Sequence, residues 1–220
     1  MPKITSVEPQ KKNPRRFNVF LDGLFAFGAD EDLIVNYRLI PGKIIEQKDL
    51  EKLLFESEVG KLMERMYGLF SMRARSEKEV RNYLRNLSFK RKIKDKEEIS
   101  QLVIDLLVER LKQKGMINDL EFAKAWVEGR RKSKQKGVRA LEMELFQKGI
   151  NREIIEEVVS HQPSAVSEEE LAKLALEKKM RSWKNLEGWE LKKKATEFLL
   201  RKGFDYSVVK TVVENILKTG

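Results

Sequence analysis

One basic segment near the middle of the chain carries the strongest signal for chemistry. Like charges packed at high density repel one another, so an anionic partner such as nucleic acid or an acidic protein surface is expected to bind there. The alternative is a solvated loop between helices, neutralised by counter-ions. The segment holds six cationic side chains in ten positions, namely Arg130, Arg131, Lys132, Lys134, Lys136 and Arg139.

Two further basic groups lie at comparable joints of the chain. Arg73 and Arg75 come just before a predicted helix start, and together with the six residues above they form what we call the basic ridge. A C-terminal group supplies secondary candidates. Recurrence at the same joint favours a functional surface, and the net charge of +10 (45 Lys and Arg against 35 Asp and Glu) agrees with a polyanionic partner. The secondary candidates are Lys178, Lys179, Arg181 and Lys184.

Motifs typical of enzymes are missing from the sequence. It has no GxxxxGK phosphate loop, no GxSxG elbow and no paired histidines at metal spacing. Cysteine is absent and the one histidine, His161, follows a predicted helix end. Runs of carboxylates such as Glu168–Glu170 are explained by helix capping and solvation. We therefore expect a protein without catalytic residues, metal or cofactor.

Composition also bears on location. The absence of cysteine is typical of intracellular proteins, and no stretch resembles a signal peptide or a membrane span. A cytoplasmic protein without membrane association is the expectation.

Three tryptophans offer a second kind of contact, because indole rings stack on nucleic-acid bases. Trp126 shares a helical face with Phe122 and Ala123, which favours core packing for that residue. Trp183 and Trp189 remain open to either role.

An internal repeat supplies the framework for these residues. The segment 145–151 matches the segment 199–205, fifty-four positions further along, with Gly149 falling on Gly203. Each copy predicts a helix, a tight turn with a left-handed glycine, and a second helix capped by Asn151 or Asp205. A period of this size indicates an array of helical modules, which suits binding better than catalysis.

The N-terminal residues follow a different pattern. Two apolar runs flank Asp22-Gly23, a strong signal for a β-hairpin, and residues 4–7 could add a third strand. A short helix is predicted from Asp30, stopped by Pro41-Gly42, and a long helix from Asp49, with a possible break at Gly60.

Capping signals place the modules. Ser76 with Glu79, and Ser167 with Glu170, have the spacing of capping boxes, and Asn118 begins a helix between them. The predicted fold is mainly α: three tandem three-helix repeats (58–117, 118–163 and 164–220) form an elongated, curved array. A small N-terminal β-hairpin or three-stranded sheet with a short helix (1–57) precedes them.

Two segments resemble the RecX family of regulatory proteins. Residues 73–84 are similar to the R-x-R-S-E-x-E stretch of that family, and residues 115–126, followed by Arg130, resemble its G-x-[IL]-[ND]-D-x-x-[FY]-[AV] segment. Gly137-Val138-Arg139 and residues 145–149 extend the resemblance. It covers the chain from about residue 62, and residues 17–42 resemble an N-terminal extension that some members carry.

This resemblance implies a non-enzymatic inhibitor of the RecA recombinase. Such proteins consist of tandem three-helix repeats that lie in the groove of the RecA–DNA filament. There they hinder strand exchange, co-protease activity and ATP hydrolysis. The expected partners are the RecA filament and single- or double-stranded DNA, with the chain acting as a monomer.

Two other readings of the sequence remain open. In the first, a stand-alone basic DNA-binding protein affects RecA only by occupying single-stranded DNA. In the second, a helical adaptor uses its charges for solubility alone.

Overall fold

The computed structural model describes residues 1–11, 13–160, 167–183 and 186–218. Within these ranges the chain forms three strands and ten helices, which confirms a mainly helical protein with an N-terminal sheet. The strands are β1 (Ile4–Gln10), β2 (Asn13–Leu21) and β3 (Leu24–Asp30). The helices are α1 (Glu31–Asn36), α2 (Gln47–Phe70), α3 (Glu77–Lys92), α4 (Gln101–Gln113), α5 (Asp119–Lys134), α6 (Val138–Gln147), α7 (Arg152–Ser160), α8 (Glu168–Met180), α9 (Gly188–Arg201) and α10 (Tyr206–Lys218).

The three strands form one antiparallel sheet in the order β1-β2-β3. The predicted hairpin turn is confirmed, because Asp22 and Gly23 both have positive φ, 48° and 84°. The third strand is confirmed as well. A buried apolar cluster that includes Val19, Phe27 and Leu53 joins one face of the sheet to α1 and α2.

Two details of the following helices differ from the prediction. Helix α1 begins as expected with Asp30 as its N-cap, but it ends at Asn36, before Pro41-Gly42. Helix α2 runs unbroken through Gly60, so the possible break there is wrong. A Cβ atom at Gly60 would collide with the carboxylate of Asp30, so this glycine permits a close approach without ending the helix.

The chain packs as two compact units. The first comprises residues 1–74 and 81–117, and the second comprises residues 75–80 and 118–220. Helix α2 crosses the predicted boundary between residues 57 and 58. The division into an extension and three repeats stays a prediction.

The second unit contains two separate apolar cores. Helices α5, α6 and α7 enclose one around Phe122, Leu141 and Leu145. Helices α8, α9 and α10 enclose the other around Leu199 and Phe204. Each group of three helices therefore buries an apolar face of its own.

The two copies of the repeated turn have the same geometry. Gly149 and Gly203 both adopt the left-handed conformation, with φ of 80° and 88°, and Ile150 and Phe204 are buried directly after them. These observations confirm the predicted helix–turn–helix. The backbone of the turn ends α6 and α9 in the manner of a glycine C-cap.

Each of these turns receives the N-terminus of another helix of the second unit. The Ser76 hydroxyl, at the start of α3, donates to the carbonyl oxygen of Lys148 over 2.7 Å. The Gly137 amide, at the start of α6, donates to the carbonyl oxygen of Lys202 over 3.0 Å. Ser76 and Gly137 thus occupy equivalent places in two copies of one joint.

Candidate functional site

Glu144 on α6 gathers two members of the basic ridge. Its carboxylate accepts hydrogen bonds from Arg130 Nε at 2.9 Å and from Trp126 Nε1 at 2.8 Å, and it forms an ion pair with Lys136. The Arg130 guanidinium lies 4.3 Å from the centroid of the Trp126 ring, and the Lys148 ammonium lies 4.9 Å from it. The fold itself therefore neutralises and orients Arg130 and Lys136.

The environment of Glu144 favours its charged form. Burial raises the pKa of Glu144, but hydrogen bonds from Lys136 and Trp126 and the charges of Lys136 and Arg130 outweigh burial. The pKa of Glu144 consequently lies below the ordinary value of a glutamate.

Arg131 points into the protein. Its guanidinium lies 3.2 Å from Glu168 on α8, and the Arg131 side chain is 11% exposed. The Val138 amide donates to the same carboxylate over 3.3 Å. Burial raises the pKa of Glu168 above its ordinary value, although the Arg131 charge and the Val138 hydrogen bond oppose this shift. The pair links α5 to the start of α8, which is a structural role.

The remaining cations of the segment differ in whether the side chain has an ion-pair partner. Arg139 forms an ion pair with Asp205. Lys132 and Lys134 are exposed, and neither side chain has an ion-pair partner in the described part of the chain. These two lysines are the members of the segment that are most available to an external anion.

The other predicted basic residues lie in varied settings. Arg73 is exposed and donates to the Ala74 carbonyl oxygen over 2.9 Å, while Arg75 is half-buried. Lys178 and Arg181 are exposed at the end of α8. The Lys179 ammonium lies 5.8 Å from the Trp183 ring centroid. Lys184 and His161 fall outside the described residues.

The tryptophans differ in exposure. Trp126 is half-buried and stacks on Phe122 with ring centroids 5.7 Å apart, which confirms its packing against the core. Trp183 meets Phe198 edge-on at 5.8 Å. Trp189, in contrast, is 72% exposed and is the tryptophan best placed for contact with a partner.

Sequence reasoning missed one functional candidate, Lys202. Its ammonium group donates to the carbonyl oxygen of Lys134, the last residue of α5. Burial lowers the pKa of Lys202, and the charges of Lys136, Lys178 and Lys134 lower it further. The repeat could have revealed this residue, because Lys202 is the counterpart of Lys148.

The described residues contain no group of three or more His, Cys, Asp or Glu side chains that could hold a metal ion. Across the same ranges, every helix is too short or too polar to cross a membrane.

The repeated groups of three helices behind an N-terminal sheet define the class of this chain, namely a helical-repeat protein. The particular family follows from comparison with known proteins. Models of the RecX N-terminal domain, the second RecX three-helix domain and the third RecX three-helix domain match residues 2–46, 118–159 and 167–213.

Curated relatives are similar in sequence over nearly the whole chain. The regulatory protein RecX of Bacillus subtilis is 36% identical over 98% of this chain and 78% of its own length. That of Listeria innocua is 34% identical over 94% of this chain and 73% of its own. The chain belongs to the RecX family of regulatory proteins.

Solved structures support the fold. A crystal structure of a regulatory protein RecX superposes with a TM-score of 0.75 at 25% identity, covering 97% of this chain and all of that one. RecX from Lactobacillus salivarius gives a TM-score of 0.59 at 22% identity over 74% of this chain and 97% of that one, a likeness of fold alone.

Proposed function

We propose that this chain binds the RecA–DNA filament and inhibits the recombinase, ATPase and co-protease activities of RecA. The observation that carries the proposal is the 36% identity over 98% of the chain to a regulatory protein RecX. In this proposal the chain acts as a monomer in the cytoplasm, by binding alone and without catalysis.

The surface chemistry supports a filament as the partner. A RecA–DNA filament offers phosphates and acidic protein side chains together, and both attract exposed lysines. Lys132 and Lys134 are the first residues that we assign to this contact, because their charges are unpaired within the described part of the chain. Arg73 and the exposed end of α8 are further contacts in the proposal. Arg130, Arg131, Lys136 and Arg139 would shape the surface through their internal ion pairs.

A second candidate function is binding to single-stranded DNA without RecA. The lysines around Lys202 favour it, because the charges of Lys134, Lys136 and Lys178 add to burial in lowering the pKa of Lys202. In that case the protein would inhibit RecA only by covering the DNA.

RecA-catalysed ATP hydrolysis on saturating single-stranded DNA separates the two functions. The protein is titrated into the reaction, and inhibition at amounts too small to cover the DNA supports filament binding. Inhibition that begins only when the DNA is covered supports the second candidate. An unchanged rate at every protein concentration contradicts both.

Two charge-reversal variants, compared in the same titration, test which lysines make the contact. Lys132→Glu with Lys134→Glu removes the proposed contact, and Lys192→Glu with Lys194→Glu on α9 makes the same change in net charge at other exposed positions. Loss of inhibition in the first variant alone would assign the contact to the ridge.

A further inference from the structure

The two copies of the joint differ in one respect that changes their chemistry. In the first copy, Lys148 forms an ion pair with Glu79 at 2.5 Å, three residues beyond the helix-start residue Ser76. In the second copy, the residue three beyond Gly137 is Ala140. Ala140 therefore holds the sequence position that Glu79 holds in the first joint. It lies against the turn, because a Cβ atom at Gly203 would collide with Ala140. The second joint therefore has no carboxylate at the position that Glu79 occupies in the first.

A second acidic position is also replaced. Glu144, which neutralises Arg130 and Lys136, falls on Phe198 in the repeat. The Lys202 ammonium lies 5.4 Å from the centroid of the Phe198 ring. An aromatic ring attracts a cation but carries no net negative charge to balance it.

Lysines converge where these carboxylates are missing. The Lys202 ammonium contacts the carbonyl oxygen of Lys134, at the end of α5. The charges of Lys136, in the next loop, and Lys178, in the last turn of α8, lower the pKa of Lys202, as does that of Lys134. Lys136 is balanced by Glu144. Within the described ranges, Lys134, Lys178 and Lys202 form no ion pair with a carboxylate. The hydrogen bond to the Lys134 carbonyl oxygen positions the Lys202 ammonium, whereas the side chains of Lys134 and Lys178 are exposed.

From this convergence we infer that Lys134, Lys178 and Lys202 form a phosphate-binding site for the backbone of a single nucleic-acid strand. The inference deepens the proposed function and rests on it. Ammonium groups bind phosphate oxygens as point charges and need no directional fork, which suits lysines gathered from three helices. A bound phosphodiester would supply the negative charge that Glu79 supplies in the first joint.

The repeat suggests its own test, which is to restore the missing carboxylate. Ala140→Glu should place a carboxylate beside Lys202, and Ala140→Gln has nearly the same shape without the charge. Both variants, and the unchanged protein, are titrated against a fluorescein-labelled oligo-dT strand over a range of salt concentrations. Fluorescence anisotropy gives the affinity, and thermal melting checks that each variant folds.

The expected result is a loss of affinity in Ala140→Glu that Ala140→Gln does not share. The slope of log affinity against log salt should become less steep by at least about 0.7, the contribution of one neutralised phosphate on a single strand. Equal affinities and slopes for the two variants, or an unchanged protein that does not bind oligo-dT, would overturn the inference.

A second pair of variants guards against misfolding at position 140. Lys134→Gln with Lys178→Gln leaves the partly buried Lys202 intact, and Lys192→Gln with Lys194→Gln is the matched control. The first pair should reproduce the reduced slope and the second should not. Equal effects of both pairs would mean that only total charge matters, and would also overturn the inference.

Two more measurements distinguish a nucleic-acid phosphate from free phosphate, and failure of this site from failure of the proposed function. The NMR signal of the Lys202 ε-methylene should shift on addition of oligo-dT. A shift with inorganic phosphate alone, and none with oligo-dT, would contradict a nucleic-acid site. RecA ATP hydrolysis is measured with the same variants. If Ala140→Glu binds oligo-dT with normal affinity and still inhibits RecA, the proposed phosphate site is wrong and the proposed function stands.

Discussion

The Ser76 hydroxyl donates a hydrogen bond of 2.7 Å to the carbonyl oxygen of Lys148, seventy-two residues further along the chain. The same hydroxyl accepts a bond from the Glu79 amide at 3.3 Å, so one fully buried side chain caps α3 and holds the turn after α6. The Gly137 amide contacts the carbonyl oxygen of Lys202 in the equivalent way. A helix start seated on a glycine turn is thus the repeated joint of the second unit.

Ser76→Ala should destabilise the protein more than Ser167→Ala does. Both serines cap a helix, but Ser167 is exposed and only its cap is lost, which costs about 1 kcal/mol. Ser76→Ala also leaves the partly buried carbonyl oxygen of Lys148 without its donor, so we expect about 2 kcal/mol. Denaturant titration measures both free energies of unfolding. Equal values would show that the bond to Lys148 contributes nothing.

Three glycine-to-alanine substitutions should form a graded series. Gly115 has φ of 68° and open space around it, so alanine there should cost about 1 kcal/mol for the left-handed backbone alone. At Gly149 a Cβ atom would lie 2.6 Å from the Lys78 side chain, and at Gly203 it would meet the backbone of Ala140. Because a backbone moves less readily than a lysine, Gly203→Ala should be the most damaging, at about 3 kcal/mol or more. Three equal unfolding free energies would contradict the tight joints.

Glu144→Gln should weaken the protein in a pH-dependent manner. The loss of charge-assisted bonds to Arg130 and Lys136 should cost about 1–2 kcal/mol at neutral pH. This cost is smaller than for a fully buried ion pair, because solvent screens the partly exposed side chains. The pKa of Glu144 is lowered in the folded state, so its stabilisation is present above the unfolded pKa of about 4.3 and is lost as the pH falls through the folded pKa. The difference between the two proteins should therefore shrink on acidification below that value. A difference that stays constant down to pH values well below it would be inconsistent with the lowered pKa.

Arg131→Ala and Lys132→Ala change adjacent residues but should affect different properties, namely stability in the first case and inhibition of RecA in the second. Removing Arg131 leaves Glu168 in a largely buried site without its partner, so the cost should be about 3 kcal/mol. Lys132 is exposed, and its replacement should change stability by less than about 0.5 kcal/mol while weakening inhibition of RecA. Thermal or denaturant unfolding and the ATPase titration together check both halves. Normal stability in Arg131→Ala would remove the structural role assigned to this residue.

Features set by neighbouring residues could be predicted from the sequence, and features set by distant residues could not. The caps at Asn118 and Ser167, the Asp22-Gly23 turn and the two glycine turns depend on a few consecutive positions. The partners of the basic ridge depend on packing between helices: Arg131 meets Glu168 and Arg139 meets Asp205 across long stretches of chain.

Gly60 is a position where a distant residue overrides the local expectation. Local propensity suggests a helix break, because glycine weakens a helix interior. The close approach of Asp30, thirty residues earlier, gives that position a different reason for having no side chain. Lys202 likewise stands out only when its surroundings in space are compared with those of its repeat partner Lys148.

The most direct test of the proposed function compares binding to the filament with binding to naked DNA. The protein, labelled with a fluorophore, is titrated against RecA filaments assembled on single-stranded DNA with a slowly hydrolysed ATP analogue, and against the same DNA alone. We predict tighter binding to the filament than to naked DNA. Lys132→Glu with Lys134→Glu should reduce the affinity for the filament, and Lys192→Glu with Lys194→Glu should leave it unchanged. Equal or tighter binding to naked DNA would contradict a filament-binding regulator.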